Sequence, residues 1–476
     1  MPRLVIVSNR VSLPGERTAR AGGLATALRD TLRHYGGLWF GWSGRIAEAS
    51  STTPQFSNAG GVTYVTVDLS RDDHQGYYVD FANGSLWPLF HYRLGLVEYK
   101  RRAFDRYRQV NRYLARMLHP LLQPDDLIWI HDYHLIPLGS ELRQLGVVNR
   151  IGFFLHTPFP PPEVLEALPH HETLIRGLCA YDLIGFQTTD GTQAFLNYIS
   201  QRAGGRQFAD GWFSAYGMRS RAAAFPISIE TDQFAELAKR AVTAPDAVRL
   251  RESLANRDLI IGVDRLDYSK GLANRFDAID TLLSDWPHHR GRITYLQIAP
   301  HSRAEVAQYR SLRRDLEAAA GRINSKYAEF DWSPIRYVNK SISRQTLGGF
   351  YRIARIGLVT PLRDGMNLVA KEYVAAQDPE NPGVLVLSRF AGAAHELDAA
   401  LLVNPIDVDA IASAIHHGLG MDLEERRARW SAMMSVLRKN TITAWRDAFT
   451  AALGEVDPPV TTPLRRSAAE RSEISV

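Results

Sequence analysis

Short apolar runs in this chain repeatedly break off into residues that could do chemistry. The run at 4–8 leads into Ser8-Asn9-Arg10, and a glycine pair, Gly22-Gly23, stands just before a helical stretch, where free N–H groups could meet an anion or the glycines could simply make a turn. The run at 127–131 ends in His131-Asp132-Tyr133-His134. Asp132 there suits a base or a hydrogen bond to a polyol, while the two histidines allow a metal-dependent hydrolase or an ordinary core contact. The next run ends at His156, followed by three consecutive prolines at 160–162 that fix a rigid loop and hold the imidazole for a ligand. Further on, 259–263 leads into Asp264-Arg265-Leu266-Asp267-Tyr268-Ser269-Lys270-Gly271. Lys270 is one of only seven lysines, and with Arg265 and a helix start it makes a diphosphate site, or else an ion pair with Asp264 or Asp267. Finally 356–360 gives way to Pro361-Leu362-Arg363-Asp364-Gly365 and a helix expected from about Met366. Glu372 stands almost two turns along that helix, ~9 Å from its start at 1.5 Å per residue, where the ribose of a nucleotide would sit if its diphosphate met the helix end.

The elements that must carry these residues are strands alternating with helices. Buried strands are expected at 4–8, 127–131, 151–156, 183–186, 259–263, 293–298, 356–360 and 384–388. Amphipathic helices are expected at 98–118, 190–200, 272–284, 303–320, 367–376 and 407–418. That order means α/β, doubly wound parallel sheets, and so many strands divide into two Rossmann-like domains facing a cleft. The seam falls near 226–232, giving an N-terminal domain 1–230, a C-terminal domain 231–456 and a Pro-rich, then charged, tail at 457–476 that reads as disordered. Ligands in such sheets lie beyond the carboxyl ends of the strands, which is where Arg10, Asp132, His156, Arg265 and Asp364 are expected.

Composition narrows the function. The chain has 476 residues, 45% hydrophobic and 22% charged, and its 56 Lys and Arg against 51 Asp and Glu give a net charge of +5 spread along the chain. No basic stripe marks a nucleic-acid binder. One cysteine, Cys179 in an apolar stretch, excludes an internal disulfide and a four-cysteine zinc site, and a buried thiol is expected there. The N-terminal apolar run is too short for a signal peptide and no run approaches a membrane span, so a soluble, cytoplasmic protein is expected. No G-x-G-x-x-G follows the first strand, which argues against a dinucleotide oxidoreductase. The acidic pair Asp407-Val408-Asp409 stands at a helix start away from the glycine loops and reads as a cap.

Taken in order, these motifs resemble the trehalose-6-phosphate synthases, retaining glycosyltransferases with two Rossmann-like domains of the GT-B type. The matching stretches are S-N-R at 8–10, A-G-G-L at 21–24, G-G-L-W-F-G-W-S-G at 36–44, L-W-P-L-F-H-Y-R at 86–93 and W-I-H-D-Y-H-L at 129–135. They continue with G-F-F-L-H-T-P-F-P at 152–160, R-L-D-Y-S-K-G at 265–271, Q-I-A-P-H-S-R at 297–303, G-R-I-N at 321–324 and T-P-L-R-D-G-M-N-L-V-A-K-E-Y at 360–373. The resemblance implies transfer of glucose from UDP-glucose to glucose 6-phosphate. It implies an acceptor site of Arg10, Tyr78, Trp87, Asp132 and Arg303, and a donor site of Gly23, Arg265, Lys270, Asp364, Leu368, Val369, Ala370, Lys371 and Glu372. His156 and Asp364 would contact the donor glucose, and Asp132, His156, Arg265, Lys270 and Asp364 would carry the chemistry.

With Asp407-Val408-Asp409 read as a cap and fixed cations beside the diphosphate, no metal is expected. Charge and hydropathy leave no nucleic-acid or membrane partner expected, and no cofactor is expected either. The resemblance implies a homo-oligomer, dimer or tetramer. It also implies a front-face mechanism in which a donor phosphate oxygen takes the acceptor proton. Related readings are a glucosylglycerol-phosphate synthase, a pseudoglycosyltransferase joining cyclitols, or a non-catalytic sugar-phosphate sensor, which would not need the donor set.

Overall fold

The computed structural model describes residues 2–13, 28, 32, 36–301 and 307–456. Gly23, Arg303 and the 457–476 tail therefore lie outside the described residues. Within them, two sheets account for the strands. The first has ten, β1 (Leu4–Arg10), β2 (Gly37–Ala47), β3 (Gln55–Ala59), β4 (Val62–Ser70), β5 (Leu127–His131), β6 (Ile151–Phe154), β7 (Leu183–Phe186), β8 (Arg206–Gln207), β9 (Trp212–Ala215) and β10 (Met218–Ala224), in the order β3-β4-β2-β1-β5-β6-β7-β10-β9-β8. Its centre is parallel, and its edges are not: β3 pairs antiparallel with β4, β9 with β10, and β8 with β9. The expectation of a purely parallel sheet fails at those edges because each pair is joined by a short turn, which can only reverse the chain.

The second sheet holds β11 (Asp258–Val263), β12 (Ile293–Ile298), β13 (Ile335–Val338), β14 (Ile356–Val359), β15 (Val384–Ser388) and β16 (Leu401–Val403), in the order β13-β12-β11-β14-β15-β16. All its pairs are parallel. This is the order of a dinucleotide-type doubly wound sheet, reversing between β11 and β14. The central strands are apolar without alternation because helices cover both faces. β5, β7, β12 and β15 have the bounds read from sequence.

Three helices depart from expectation, one of them only in beginning at Arg101 where 98 was expected. The one expected at 303–320 is described as Ala307–Tyr327 and passes through Gly321, because Ile323 and Tyr327 continue its buried face. The third starts at Leu368, not near Met366, because Asn367 at φ 92° accepts a hydrogen bond from the Ala370 N–H at 3.2 Å and caps it.

Between the sheets the chain runs through 225–230 without regular structure into the helix Thr231–Ala241. The last described helix, Ile442–Glu455, returns to the first sheet. Phe449 stacks on Trp129 with centroids 4.5 Å apart, Trp445 lies 4.8 Å from the same ring, and the Arg150 guanidinium donates to the Val456 carbonyl at 2.7 Å. One apolar cluster thus runs from Trp129 and Phe154 through this helix to Tyr373 and Leu387 of the second half.

Candidate functional site: the cleft between the two sheets

Strand order reverses at β1/β5 in the first sheet and at β11/β14 in the second, and the polar residues singled out above leave those strands at their carboxyl ends. On the first side β1 delivers Asn9 and the exposed Arg10. Gly44 gives the guanidinium its room: at φ +88°, a Cβ there would lie 2.6 Å from Arg10 Nε. The Asn9 amide oxygen accepts from the Tyr77 hydroxyl at 2.8 Å. Tyr77 and Tyr78 are carried by a π-helical segment, His74–Leu86, which has no helical periodicity to announce it in sequence. Such wide turns recur at functional sites. Tyr78 is stacked against His134, 5.7 Å and 11°, and His74, 5.2 Å and 26°.

Asp132 follows β5 at φ 78° and ψ 163°, a region essentially reserved for glycine. Its carboxylate accepts the backbone N–H of His156 at 3.2 Å. The imidazole of His156 is held from both sides. Gln187 Oε1 accepts the Ile227 N–H at 3.0 Å, so Gln187 Nε2 donates to His156 Nδ1 at 3.3 Å. His156 Nε2 then carries the hydrogen and donates to His131 Nδ1 at 3.1 Å. Burial pushes His156 down to about 3 and His131 well below the ordinary imidazole range, so both stay neutral. His131 is a packed partner of His156, and no metal-ligand arrangement forms around it among the described residues.

On the second side Lys270 Nζ donates to Asp364 Oδ2 at 2.6 Å, with both side chains largely buried. The open choice for Lys270 thus falls on a third acid, neither Asp264 nor Asp267. Asp264 instead pairs with the fully buried Arg275 at 2.7 Å. Arg275 in turn donates to the Lys270 carbonyl at 3.0 Å and to Thr360 Oγ1 at 3.0 Å, bracing the Lys270 turn against the end of β14. Asn367 Nδ2 also donates to Asp364 Oδ2, at 3.0 Å. Burial opposes ionisation of Asp364, but the ammonium of Lys270, helped by Asn367, holds its carboxyl below the usual carboxylate range. With Ala370 N–H used by the cap, the helix Leu368–Ala376 has Leu368 and Val369 N–H left at its first turn. Glu372 accepts from Arg344 Nε at 3.1 Å; burial pushes its carboxyl up and Arg344 opposes the shift.

Lys371 points elsewhere. Its fully buried ammonium donates to Glu396 Oε2 at 2.5 Å and to the Ile227 carbonyl at 2.8 Å. The ammonium is therefore already engaged and is not presented to a ligand.

Four contacts close the cleft. Arg265, exposed, lies 5.6 Å from the Trp87 ring, and Trp87 Nε1 donates to Asp267 at 3.4 Å. Arg363 sits 3.8 Å over the Tyr92 ring. Gly365 faces the first domain so closely that a Cβ would stand 2.0 Å from the His156 carbonyl oxygen. Asp132, His156, Trp87, Arg265, Lys270 and Asp364 are thus gathered where the two halves face each other. A glycosyltransferase family 20 model matches residues 3–455. The chain belongs to that family.

Its relatives agree over nearly their whole length. A trehalose-6-phosphate synthase of Cronobacter sakazakii is 50% identical over 458 residues, 96% of each chain. A Burkholderia xenovorans α,α-trehalose-phosphate synthase (UDP-forming), crystallised in complex with glucose-6-phosphate, is 50% identical with a TM-score of 0.92, covering 95% of this chain and 100% of that one. An Escherichia coli chain bound with UDP-2-fluoro glucose is 48% identical with a TM-score of 0.91, covering 96% and 100%. The fold of this family 20 chain is of the GT-B type. Its site also contains Asp267, weighed in sequence only as a partner for Lys270, which takes Trp87 Nε1, Ser269 N–H and the Tyr309 hydroxyl, and three residues that sequence reasoning missed: Gln187; Arg275; and His91, pushed down to about 4 by burial and Lys270. Arg275 could have been sought as a charged residue close to the Lys270 turn; nothing local marks Gln187.

Proposed function

We propose that the chain transfers glucose from UDP-glucose to glucose 6-phosphate with retention, releasing UDP and trehalose 6-phosphate. The observation that carries this reading is the meeting of Asp132 and His156 on one domain with Lys270, Asp364 and Gly365 on the other, at the two strand-order reversals. The half 1–230 receives the acceptor and the half 231–456 the nucleotide sugar. Arg265, Lys270 and the free N–H groups of Leu368 and Val369 face the diphosphate and offset the charge that builds as UDP departs. Glu372 holds the ribose. Asp364, kept ionised by Lys270, and the neutral His156 accept and donate hydrogen bonds to the donor glucose.

Asp132 orients the acceptor sugar, Tyr78 and Trp87 wall its pocket, and Arg10 with Arg303 holds its phosphate. Among the described residues, the cleft carboxylates Asp364 and Asp132 are given positioning roles, Asp364 held by Lys270 and Asn367 and Asp132 by the His156 N–H, and neither is assigned attack on the anomeric carbon. Attack from the face that UDP leaves, with a departing phosphate oxygen taking the acceptor proton, gives retention without a covalent sugar. The protein works in the cytoplasm as a homo-oligomer; among the described residues no helix is long and apolar enough to cross a membrane.

The test is incubation of the purified chain with glucose 6-phosphate and UDP-, ADP- or GDP-glucose, following released nucleotide and identifying the disaccharide phosphate by NMR. UDP release that requires glucose 6-phosphate is expected. Turnover only with glycerol phosphate or a cyclitol acceptor, or none with any donor, overturns the reading.

A further inference from the structure

We propose that His288, His289 and His416 form a binding site for a divalent transition-metal ion, zinc being its natural fit, on the side of the second sheet away from the cleft. Two elements supply the ligands. His288 and His289 stand in the short turn Pro287–His289 that follows the helix Leu272–Asp285, and His416 projects from the neighbouring helix Val408–Gly420. One ring nitrogen of each lies within 4.8 Å of the other two, and His289 Nε2 and His416 Nδ1 are 3.0 Å apart. Nitrogens bound to one zinc at ~2.0–2.1 Å in tetrahedral directions are ~3.3 Å apart. Two of the three are already at that spacing, and His288, exposed, closes by a side-chain rotation.

The rings of His289 and His416 are set before any ion arrives. Pro287 fixes the turn, the His289 N–H donates to the Trp286 carbonyl at 3.0 Å, and Trp286 stacks on His416 with centroids 4.6 Å apart and 13° between planes. In the metal-free arrangement one hydrogen lies between His289 Nε2 and His416 Nδ1. On binding, the ion takes its place and the hydrogen moves to the other nitrogen of the same ring. The group includes neither carboxylate nor thiol among the described residues. Three imidazoles with an open fourth position favour zinc, nickel or copper over magnesium or calcium.

The place of the site separates it from glucosyl transfer. Arg292 N–H donates to the His289 carbonyl at 3.0 Å, and the Arg292 carbonyl accepts from Asp258 N–H at 2.9 Å, so the cluster sits at the amino ends of β11 and β12. The cleft lies beyond their carboxyl ends, about 20 Å away for six-residue strands. The ion would clamp the turn to the helix Val408–Gly420 and leave the chemistry alone.

Equilibrium dialysis of the untagged full chain against zinc, with metal analysis and isothermal titration, tests this. One saturable site per chain is expected, weakened at least tenfold in His288→Ala and in His416→Ala, and unchanged in His417→Ala, the exposed neighbour outside the cluster. Nickel should quench Trp286 fluorescence in wild type and much less in His416→Ala, with the difference absent in Trp286→Phe. His288 is exposed, so its variant folds and keeps the test alive if His416→Ala does not. Equal zinc affinity in wild type and His288→Ala, or no saturable binding by wild type, overturns the proposal.

Discussion

Asp132 at φ 78° and ψ 163° holds a backbone that only glycine adopts without strain, worth about 1–3 kcal/mol. Asp132→Gly and Asp132→Ala both lose the carboxylate, so the difference between them isolates the strain. The glycine variant should be the more stable by about 1–3 kcal/mol in denaturant titrations, with both inactive. Equal stabilities would mean that the loop relaxes around the alanine. Arg10, exposed at the end of β1 and accommodated by Gly44, should matter only to a phosphorylated acceptor. Arg10→Ala should shrink the preference for glucose 6-phosphate over glucose, measured as a ratio of kcat/KM values, by a factor of ten or more, since a charge-assisted bond contributes about 1.5–3 kcal/mol. An unchanged ratio would place Arg10 in a surface ion pair. Arg10, Asp132, Arg265, Lys270 and Asp364 were legible in sequence because each follows an apolar run at a strand end. Their partners were not: the pairing of Lys270 with Asp364 spans 94 positions, and the tautomer of His156 is set by Gln187 through the Ile227 backbone.

Among elements, the helix Leu368–Ala376 has two tasks. Its first turn faces the cleft, while Lys371 on its buried side ties Glu396 to the linker at Ile227. Breaking such a buried pair costs about 3–5 kcal/mol because Glu396 is left without its cation. Lys371→Met should therefore lower Tm strongly and leave KM for UDP-glucose near wild type. A raised KM with an unaltered Tm would instead put this ammonium on the nucleotide. Sequence periodicity places this helix but cannot tell which of its side chains faces the cleft, since the residues at 368–376 are apolar on nearly every side. For the same reason the parallel centres of both sheets were readable as uninterrupted apolar runs. β2, β3 and β4 were not: β2 is an aromatic run broken by glycines, and β3 is exposed along most of its length. The π-helical segment His74–Leu86 breaks every periodicity that a sequence argument relies on.

For the whole molecule, acid should act earlier than carboxylates alone would make it. His156 and His91 are held near 3 and 4, against 6.5 when unfolded, so between those values the unfolded chain binds protons that the folded one refuses. Stability is complete above about pH 6.5 and declines as pH falls toward 4; Asp364, held below the ordinary carboxylate range, adds a further loss lower still. Tm measured across this window should fall steadily, and His91→Gln should flatten the slope. A Tm constant from pH 6.5 to 5 would contradict this. Turnover should also survive exhaustive chelation, because Arg265, Lys270 and the Leu368 helix start carry the leaving-group charge; loss with EDTA and recovery with magnesium would refute it. The return of the helix Ile442–Glu455 to the first sheet bears on how the chain is made. Ribosomes deliver the N-terminal sheet first, yet Phe449 and Trp445, which cover Trp129, emerge only after both sheets, and of the two it is Phe449 that fills the space over Gly152 and Gly185. Until that helix has left the ribosome, the first domain keeps an uncovered aromatic face, so emergence of Ile442–Glu455, and not completion of either sheet, is the moment at which this enzyme can finish folding.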